Sequence, residues 1–241
     1  MPLRQRETDY HCHILPGIDD GPEEIDASVE IARLLSQAGY RQVYCTPHLI
    51  KGVYEVPYHE VAQVRQNLQS LLDRGGIDLR LLLGREYYLD EFMMNLIMND
   101  GPQLLEGTDY LMIEIPSHAS IDLAKEAFFT LRRKSIIPMI AHPERCLLLE
   151  MSRQPQHHAS DWIPWRSKRH HAEDELYGRS ELLNYLLQLG CQFQANLGSM
   201  NGQYGERVKL NAASLHSNGI LTHAGTDAHS PDALKSILGN L

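Results

Sequence analysis

Short apolar runs alternate along the chain with longer stretches in which apolar residues recur every three or four positions. The first pattern is typical of buried β-strands and the second of amphipathic α-helices. Seven strands are predicted, at residues 8–13, 42–46, 77–89, 110–117, 136–145, 191–199 and 220–230. Because strands alternate with helices, the pattern predicts an α/β fold in which βα units surround a parallel sheet or barrel.

The predicted helices fill the gaps between these strands, at residues 28–39, 58–73, 91–98, 123–134, 181–190 and from about residue 205 onwards. Residues 150–179 break the pattern, since they are rich in His, Arg, Trp and Pro and show no sustained periodicity. They predict a long loop inserted into a single domain that spans residues 1–241.

Composition narrows the class of protein. A chain of 241 residues with 43% hydrophobic content can bury a substantial core. Its formal charge of −9 argues against a nucleic-acid-binding surface but leaves room for a local basic pocket around a phosphate. The four cysteines form no CxxC pair and follow no secretion signal, which predicts reduced thiols in the cytoplasm. The apolar runs are too short for membrane insertion.

The apolar runs mostly end in a residue that can bind a metal ion. In chain order these residues are His11, His13, His48, Glu86, Glu114, His142, Asp227 and His229. A barrel brings the C-terminal ends of its strands to one rim, so the scattered side chains would converge there. Each residue alone also fits an ordinary role as a surface charge or turn residue. Their repeated occurrence at strand ends favours a shared site.

The proposed ligands combine imidazoles and carboxylates without a thiolate, which suits manganese, iron or zinc. More than four ligands imply more than one ion. Two ions about 3.5–4 Å apart can activate a bridging water and neutralise the charge of a phosphoryl group during hydrolysis. Arg145, in the sequence AHPER, is a candidate clamp for phosphate oxygens. A surface salt bridge from Arg145 to Glu144 is an equally weighted alternative.

Seven motifs in order carry a more specific resemblance. They are HCHILPGIDDG, CTPHLIKGVYE, GREYYL, MIEIPS, IAHPERC, NLGSMNGQYGERV and GTDAHS. Together they resemble the bacterial PHP-domain protein-tyrosine phosphatases of capsule and exopolysaccharide clusters, the CpsB/CapC type, over almost the whole chain. The resemblance implies a distorted seven-stranded TIM-like βα barrel of the PHP superfamily. It also implies two to three divalent metal ions, with manganese the first candidate.

The resemblance also implies a set of ligands and substrate contacts. A first ion would take His11, His13, Glu86 and Asp227. A second would take Glu86, Glu114 and His142, and a third Asp20, His48 and His229. Asp20, rather than Asp19, is matched to the aspartate ligand of the family's DDG motif. Arg145 corresponds to the arginine that clamps phosphate, and Lys51 is a further candidate for substrate binding.

The implied activity is hydrolysis of phosphotyrosine by a metal-bridging hydroxide, on the tail of a membrane-associated autokinase that controls polysaccharide export. One alternative is a histidinol-phosphate or other small-molecule phosphatase of the same superfamily. Another is a non-catalytic, metal-containing scaffold that binds the kinase. A cysteine phosphatase is disfavoured, because none of the cysteines is followed by five residues and then an arginine.

Three features depart from the family pattern. No arginine follows the final DxH in AHSPDALKS, where Lys235 is the candidate replacement. The chain stops twelve residues beyond His229, which predicts a short closing helix. The segment 150–179 is longer than its usual counterpart. Its basic and tryptophan residues fit an acidic, tyrosine-rich substrate tail, although an ordinary surface loop is the simpler interpretation. These residues are Arg153, Trp162, Trp165, Arg166, Lys168 and Arg169.

Overall fold

The computed structural model describes residues 7–99, 101–153 and 177–239. The strands are Thr8–Cys12 (β1), Gln42–Cys45 (β2), His48–Leu49 (β3), Arg80–Leu83 (β4), Glu86–Tyr88 (β5), Tyr110–Glu114 (β6), Ile137–Ala141 (β7), Met151–Arg153 (β8), Tyr177–Arg179 (β9), Gln192–Asn196 (β10) and His223–Gly225 (β11). The helices are Ile25–Gln37 (α1), Tyr58–Arg74 (α2), Glu91–Met98 (α3), Ile121–Arg133 (α4), Glu181–Gln188 (α5), Leu197–Met200 (α6), Glu206–Ser217 (α7) and Pro231–Gly239 (α8).

Two parallel sheets organise the described chain. One has the strand order β1-β2-β4, and the other has the order β11-β10-β7-β6-β5-β3. Every strand pair within these two sheets is parallel. The predicted α/β class with parallel strands is therefore confirmed. The strands do not form one continuous closed ladder, because they are divided between the two sheets.

The strand predicted at 77–89 is divided into β4 and β5, and a short additional strand, β3, follows the strand predicted at 42–46. Pro47 lies between β2 and β3, and it has no N–H to donate to a ladder. Gly84 lies between β4 and β5, where an added Cβ would come within 2.5 Å of the Leu105 side chain. The chain thus passes from the first sheet to the second at two neighbouring positions. On the other side, Cys12 and Ala228 form an isolated parallel bridge next to β1 and β11.

Apolar side chains fill both faces of the sheets. On α4, Ala124, Phe128 and Leu131 are fully buried, because their spacing of three or four residues places them on one helical face. The Ser120 side chain caps this helix by accepting a hydrogen bond from the Leu123 N–H. No helix in the described ranges combines the length and apolar character needed to cross a bilayer.

A separate cluster joins the inner faces of the two sheets. Tyr44 of β2 and Leu82 of β4 pack in one buried group with Met112 of β6 and Met139 of β7. The first sheet therefore lies against the second, and the C-terminal ends of their strands share one rim.

The segment 150–179 differs at both ends from the predicted loop. Met151–Arg153 and Tyr177–Arg179 form an antiparallel pair, β8 and β9. The buried Met151 donates its backbone N–H to the Asn211 side chain, which fixes β8 against α7. This anchoring depends on a partner 60 residues away, so local periodicity does not reveal it. Of the residues considered for substrate binding, Arg153 ends β8. The others lie in residues 154–176, outside the described ranges, namely Trp162, Trp165, Arg166, Lys168 and Arg169.

Candidate metal centre

The side chains that the sequence nominates as ligands converge where the parallel strands end. His11 and His13 stand at the end of β1, His48 begins β3, and Glu86 begins β5. Glu114 closes β6 and His142 follows β7 directly, whereas Asp227 and His229 follow β11. Asp20 comes from the turn after β1. The eight side chains predicted to converge at one rim do so, and Asp20, which the resemblance implied, joins them.

The innermost group is fully buried and built around two carboxylates. Glu86 Oε2 lies 3.2 Å from His11 Nε2 and 3.4 Å from His13 Nε2. Asp227 Oδ1 lies 3.4 Å from each of the same two nitrogens. On the other side of Glu86, Oε1 lies 2.9 Å from His142 Nε2. Glu86 is therefore placed to bridge two positions.

A second group lies closer to solvent. Asp20 Oδ1 is 3.4 Å from His229 Nε2 and 3.6 Å from His48 Nε2. The His229 ring stacks on His13 with centroids 3.9 Å apart. The side chain of Asp20 is 48% exposed, so Asp20, His48 and His229 form the outer group of the site.

The resemblance assigns Glu114 and His142 to the same ion, but in this structure they fall in different groups. Donor atoms within 4.8 Å of one another link His142 with His11 and Glu86, and Glu114 with His48 and Glu86. Among the described residues, donor atoms of His11, His13 and Asp227 also lie within 4.8 Å of one another. A donor atom of His13 lies equally close to those of the outer group, Asp20, His48 and His229. Glu86 and the histidines are thus shared between overlapping groups.

The donor set fits divalent cations. Glu86 Oε2 and His48 Nδ1 are buried and make no hydrogen bond, although they lie 3.0 Å apart. The Nε2 atoms of His11 and His13 face one another at 3.0 Å. Lone pairs brought so close repel unless a proton or a metal ion lies between them. Imidazole and carboxylate donors of this kind suit manganese, iron or zinc.

Neighbouring groups orient the two inner histidines. Asp19 Oδ2 accepts a hydrogen bond from His13 Nδ1 at 2.7 Å and from the His48 backbone N–H at 2.9 Å. Gln194 Oε1 lies 2.9 Å from His11 Nδ1. With Nδ1–H engaged in this way, Nε2 of each ring presents its lone pair to the site. Asp19 is therefore a positioning residue, and Asp20 is the aspartate that faces the outer group.

The charges of this cluster shift one another's pKa. Burial would lower the pKa of His11, but the carboxylates of Glu86 and Asp227 raise it to about 9. Burial would also lower the pKa of His13, but the carboxylates of Asp19, Asp227 and Glu86 outweigh burial and hold this pKa well above its usual value. Despite burial, His11 holds the pKa of Glu86 and of Asp227 below the usual range.

Two of the nominated ligands sit on strained backbone. The backbone φ is 31° at His142 and 52° at Asp227, in the left-handed region that residues other than glycine rarely adopt. Such conformations cost about 1–3 kcal/mol each and are concentrated at functional sites. The Asp227 N–H donates to the His11 carbonyl at 2.7 Å, which ties the end of β11 to β1.

Arg145 lies over this centre and does not pair with Glu144. Its Nη1 donates to Asp227 Oδ2 at 2.9 Å, and its guanidinium stacks 4.6 Å from the centroid of the Tyr204 ring. Glu144 is buried and instead accepts a hydrogen bond from the Asn196 backbone N–H at 2.9 Å. The surface salt bridge considered in the sequence analysis is wrong, because Glu144 turns inward towards β10.

The two lysine candidates have partners of their own. Lys51 lies in the turn after β3, where it pairs with Glu55 at 2.5 Å and stands 5.1 Å over the Phe92 ring. Lys235 lies on α8, 3.6 Å from Asp232 and 4.0 Å from Glu30 of α1. Neither partner of Lys235 belongs to the metal centre.

A thiol nucleophile is absent from the centre. All four cysteines are free and buried, and burial raises the pKa of each thiol, that of Cys191 to about 12. A thiol held protonated is a poor nucleophile. The structure therefore agrees with the sequence in disfavouring a cysteine phosphatase.

Sequence reasoning missed Asp19 as a positioning residue, and it missed Gln194, Asn196 and Tyr204 altogether. One signal was present: β10 reads QFQAN, with polar residues at alternate positions of an otherwise buried strand. Alternate residues face the same side, so Gln194 and Asn196 both point to the site. Asn196 Nδ2 donates to Asp227 Oδ2 at 2.7 Å.

Comparisons with known proteins point in one direction. A family model described as capsular polysaccharide synthesis, CpsB/CapC, matches residues 7–157. The tyrosine-protein phosphatase YwqE of Bacillus subtilis is 28% identical over 221 residues, which is 92% of this chain and 76% of YwqE. The tyrosine-protein phosphatase CpsB of Streptococcus pneumoniae is 29% identical over 143 residues, covering 59% of this chain and 58% of CpsB.

A solved structure agrees with these relatives. It comes from crystal structures of YwqE from Bacillus subtilis and CpsB from Streptococcus pneumoniae, described as unique metal-dependent tyrosine phosphatases. The match has a TM-score of 0.73 and 28% sequence identity, and it covers 96% of this chain and 85% of the other.

Proposed function

Since this chain belongs to the CpsB/CapC family of capsular polysaccharide synthesis, we propose that it is a metal-dependent protein-tyrosine phosphatase. The observation that carries the proposal is the position of Glu86. Its Oε2 atom is buried without a hydrogen bond and lies 3.0–3.4 Å from nitrogens of His11, His13 and His48. A divalent ion between this oxygen and the imidazole nitrogens would satisfy all of them at once when the histidines are deprotonated.

The proposed ligands are divided between two to three divalent ions, with manganese as the first candidate and iron or zinc as alternatives. His11, His13 and Asp227 would hold one ion together with Glu86. Glu86 would bridge to a second ion held by His142. Glu114 would join this ion as well, although in this structure its oxygen is grouped with Glu86 and His48. The outer group would hold a third ion, through Asp20, His48 and His229.

Each part of the site has a role in hydrolysis of a phosphate monoester. Bound divalent ions lower the pKa of water and neutralise charge on the phosphoryl group. Arg145 uses its free N–H donors to bind phosphoryl oxygens, while Asp227 fixes one edge of the guanidinium. Asp19 and Gln194 keep the inner imidazoles in the tautomer that exposes Nε2. A phenol has a pKa of about 10, so its phenolate leaves with little help from an acid.

The proposed partner is a tyrosine-phosphorylated autokinase of polysaccharide export, whose tail would enter the rim. We propose that the enzyme acts in the cytoplasm, which agrees with its four unpaired cysteines. We also propose that the whole chain is one domain, with an insertion at 150–179, and that its two sheets act as one distorted seven-stranded barrel. The bridge from Cys12 to Ala228 and the shared inner cluster support that arrangement.

The test is phosphate release from a tyrosine-phosphorylated peptide by metal-stripped protein, with and without manganese. Activity should return with manganese in the wild type and stay absent in His142→Ala. His216→Ala is the matched control, because His216 is exposed on α7. That variant should recover activity as the wild type does.

The same assay includes free histidinol phosphate as a second substrate. Cleavage of histidinol phosphate without release from the peptide would show that the substrate class is wrong. If the reconstituted protein cleaves neither, yet still binds the phosphopeptide, the non-catalytic scaffold replaces the proposal.

A further inference from the structure

We propose that Tyr204 is a positioning residue that holds the Arg145 guanidinium in its phosphate-binding orientation. The inference rests on the proposed function, because it assumes that Arg145 binds the phosphoryl group. Tyr204 lies in the turn before α7 and is 40% exposed at the edge of the site.

A closed ring of contacts joins four side chains, those of Asp227, Asn196, Tyr204 and Arg145. Arg145 Nη1 and Asn196 Nδ2 both donate to Asp227 Oδ2, at 2.9 and 2.7 Å. Asn196 Nδ2 also lies 3.3 Å from the Tyr204 hydroxyl, and the Tyr204 ring carries the Arg145 guanidinium 4.6 Å from its centroid. Asp227 Oδ2 is thereby fully used, which leaves Oδ1 for the histidine side of the centre.

The segment that contains Tyr204 also holds the backbone of Arg145. Arg207 Nη2 donates to the Arg145 carbonyl at 3.1 Å, and Arg207 pairs with Glu150 at 2.5 Å. Gly205 has φ of 89°, which turns the chain between Tyr204 and Arg207. At Gly198, an added Cβ would come within 3.2 Å of the Tyr204 ring. The two glycines therefore allow this segment to contact Arg145 twice, with the Tyr204 ring at its guanidinium and Arg207 at its backbone carbonyl.

The ring and Asp227 act on different parts of the guanidinium. Asp227 engages one edge, whereas the ring face restrains the plane through cation–π attraction. The side chain of Arg145 is 35% exposed, so its remaining donors are open to an incoming phosphate. Without the ring, Arg145 keeps one hydrogen bond but can rotate about it. A planar donor that must bind two phosphate oxygens at once loses most from such rotation.

The test compares Tyr204→Leu, Tyr204→Phe and the matched control Tyr185→Leu. Tyr185 lies on α5, and Nζ of Lys125 on α4 is 5.7 Å from the centroid of its ring. Tyr185→Leu therefore breaks a similar cation–π contact away from the site. Three quantities are measured: kcat/KM for the phosphotyrosine peptide with manganese, the inhibition constant of inorganic phosphate, and the NMR shift of the Arg145 Nε–H. The Arg145→Lys variant assigns that resonance and supplies a second background.

Tyr204→Leu should lower kcat/KM about tenfold and weaken inhibition by phosphate in proportion, and Tyr204→Phe should recover most of both losses. Tyr204→Leu should remove the ring-current contribution of Tyr204 from the chemical shift of the Arg145 Nε–H. In the Arg145→Lys background, Tyr204→Leu should lower neither kcat/KM nor phosphate inhibition any further. Tyr185→Leu should leave all three quantities unchanged.

Any of three results would overturn the inference. Tyr204→Leu could lower kcat/KM equally in the Arg145→Lys background, Tyr204→Phe could lower it as much as Tyr204→Leu, or the Arg145 Nε–H shift could stay unchanged in Tyr204→Leu. If the wild type releases no phosphate, the proposed function fails. The NMR shift then still decides whether Tyr204 positions Arg145.

Discussion

At the scale of single residues, Asp19 shows how the second layer of the site controls the first. Both of its carboxylate oxygens accept hydrogen bonds, Oδ2 from His13 and His48 and Oδ1 from Gly21. In Asp19→Asn, an amide NH₂ would face at least one of these donors. Manganese affinity should fall about 10–100-fold, as measured by titration of the metal-stripped protein.

The control for this variant is Asp78→Asn, because the Asp78 side chain is 85% exposed and lies far along the chain, just before β4. Its manganese affinity should equal that of the wild type. An unchanged affinity in Asp19→Asn would show that another group sets the His13 tautomer.

The pKa of His11 predicts how stability depends on pH. Its folded value of about 9 lies above the usual 6.5, so the metal-free folded state binds more protons than the unfolded state between these values. His13 shifts in the same direction. The free energy of unfolding of the metal-free protein, measured with urea, should therefore fall as pH rises from about 6.5 to 9.

Manganese should oppose this trend, because a metal ion binds only deprotonated imidazole. The stabilisation that manganese adds should grow over the same pH range. A metal-free stability that rises between pH 6.5 and 9 would contradict the assigned protonation of His11.

Eight of the nine nominated ligands could be predicted from sequence, because they lie at or near the ends of apolar runs and parallel strands deliver their ends to one rim. The ninth, Asp20, lies in a turn and was implied only by the resemblance. The roles of Asp19 and Tyr204 could not. Asp19 acts through the tautomer of a ring, and Tyr204 acts through a turn that approaches Arg145 only after β7 and β10 have paired. Neither dependence leaves a periodic signal.

At the scale of elements, α4 offers a direct measure of what its buried face contributes. Phe128 is fully buried under the second sheet, whereas the adjacent Phe129 is 50% exposed. Phe128→Ala should lower the free energy of unfolding by about 3–5 kcal/mol, because it leaves a cavity in a packed core. Phe129→Ala should change it by less than about 1 kcal/mol.

Urea unfolding of both variants measures the difference. Similar losses in the two variants would mean that the helix packs through another face than the one described.

The same contrast explains which elements the sequence could predict. The periodicity of α4 is local, and the helix lies where the pattern predicted it, at Ile121–Arg133. The changes of sheet at Pro47 and Gly84 depend on which sheet each short strand joins, and the β8–β9 pair depends on a contact with α7. Long-range pairing decides these features, so a window of neighbouring residues does not contain them.

At the scale of the whole molecule, the metal centre joins the two sheets. His11 belongs to the first sheet, and Glu86 belongs to the second. An ion bound by both should therefore stabilise the entire fold. Manganese at 100 times its dissociation constant should add about 2.7 kcal/mol and raise Tm by roughly 5–10 °C.

Differential scanning calorimetry checks this expectation, with a chelator to reverse the shift. Glu86→Gln should lose most of the manganese effect, since Glu86 contacts four of the histidines. A full shift in Glu86→Gln would place the stabilising ion elsewhere.

The tie between β1 and β11 has a consequence for biosynthesis. His11 and Asp227 are neighbours in the centre, but Asp227 is translated long after His11. A nascent chain that lacks β11 has histidines but neither Asp227 to complete the inner cluster nor an anchor for Arg145. The phosphatase can therefore become competent only after β11 has been translated, and fragments that end before β11 should be inactive.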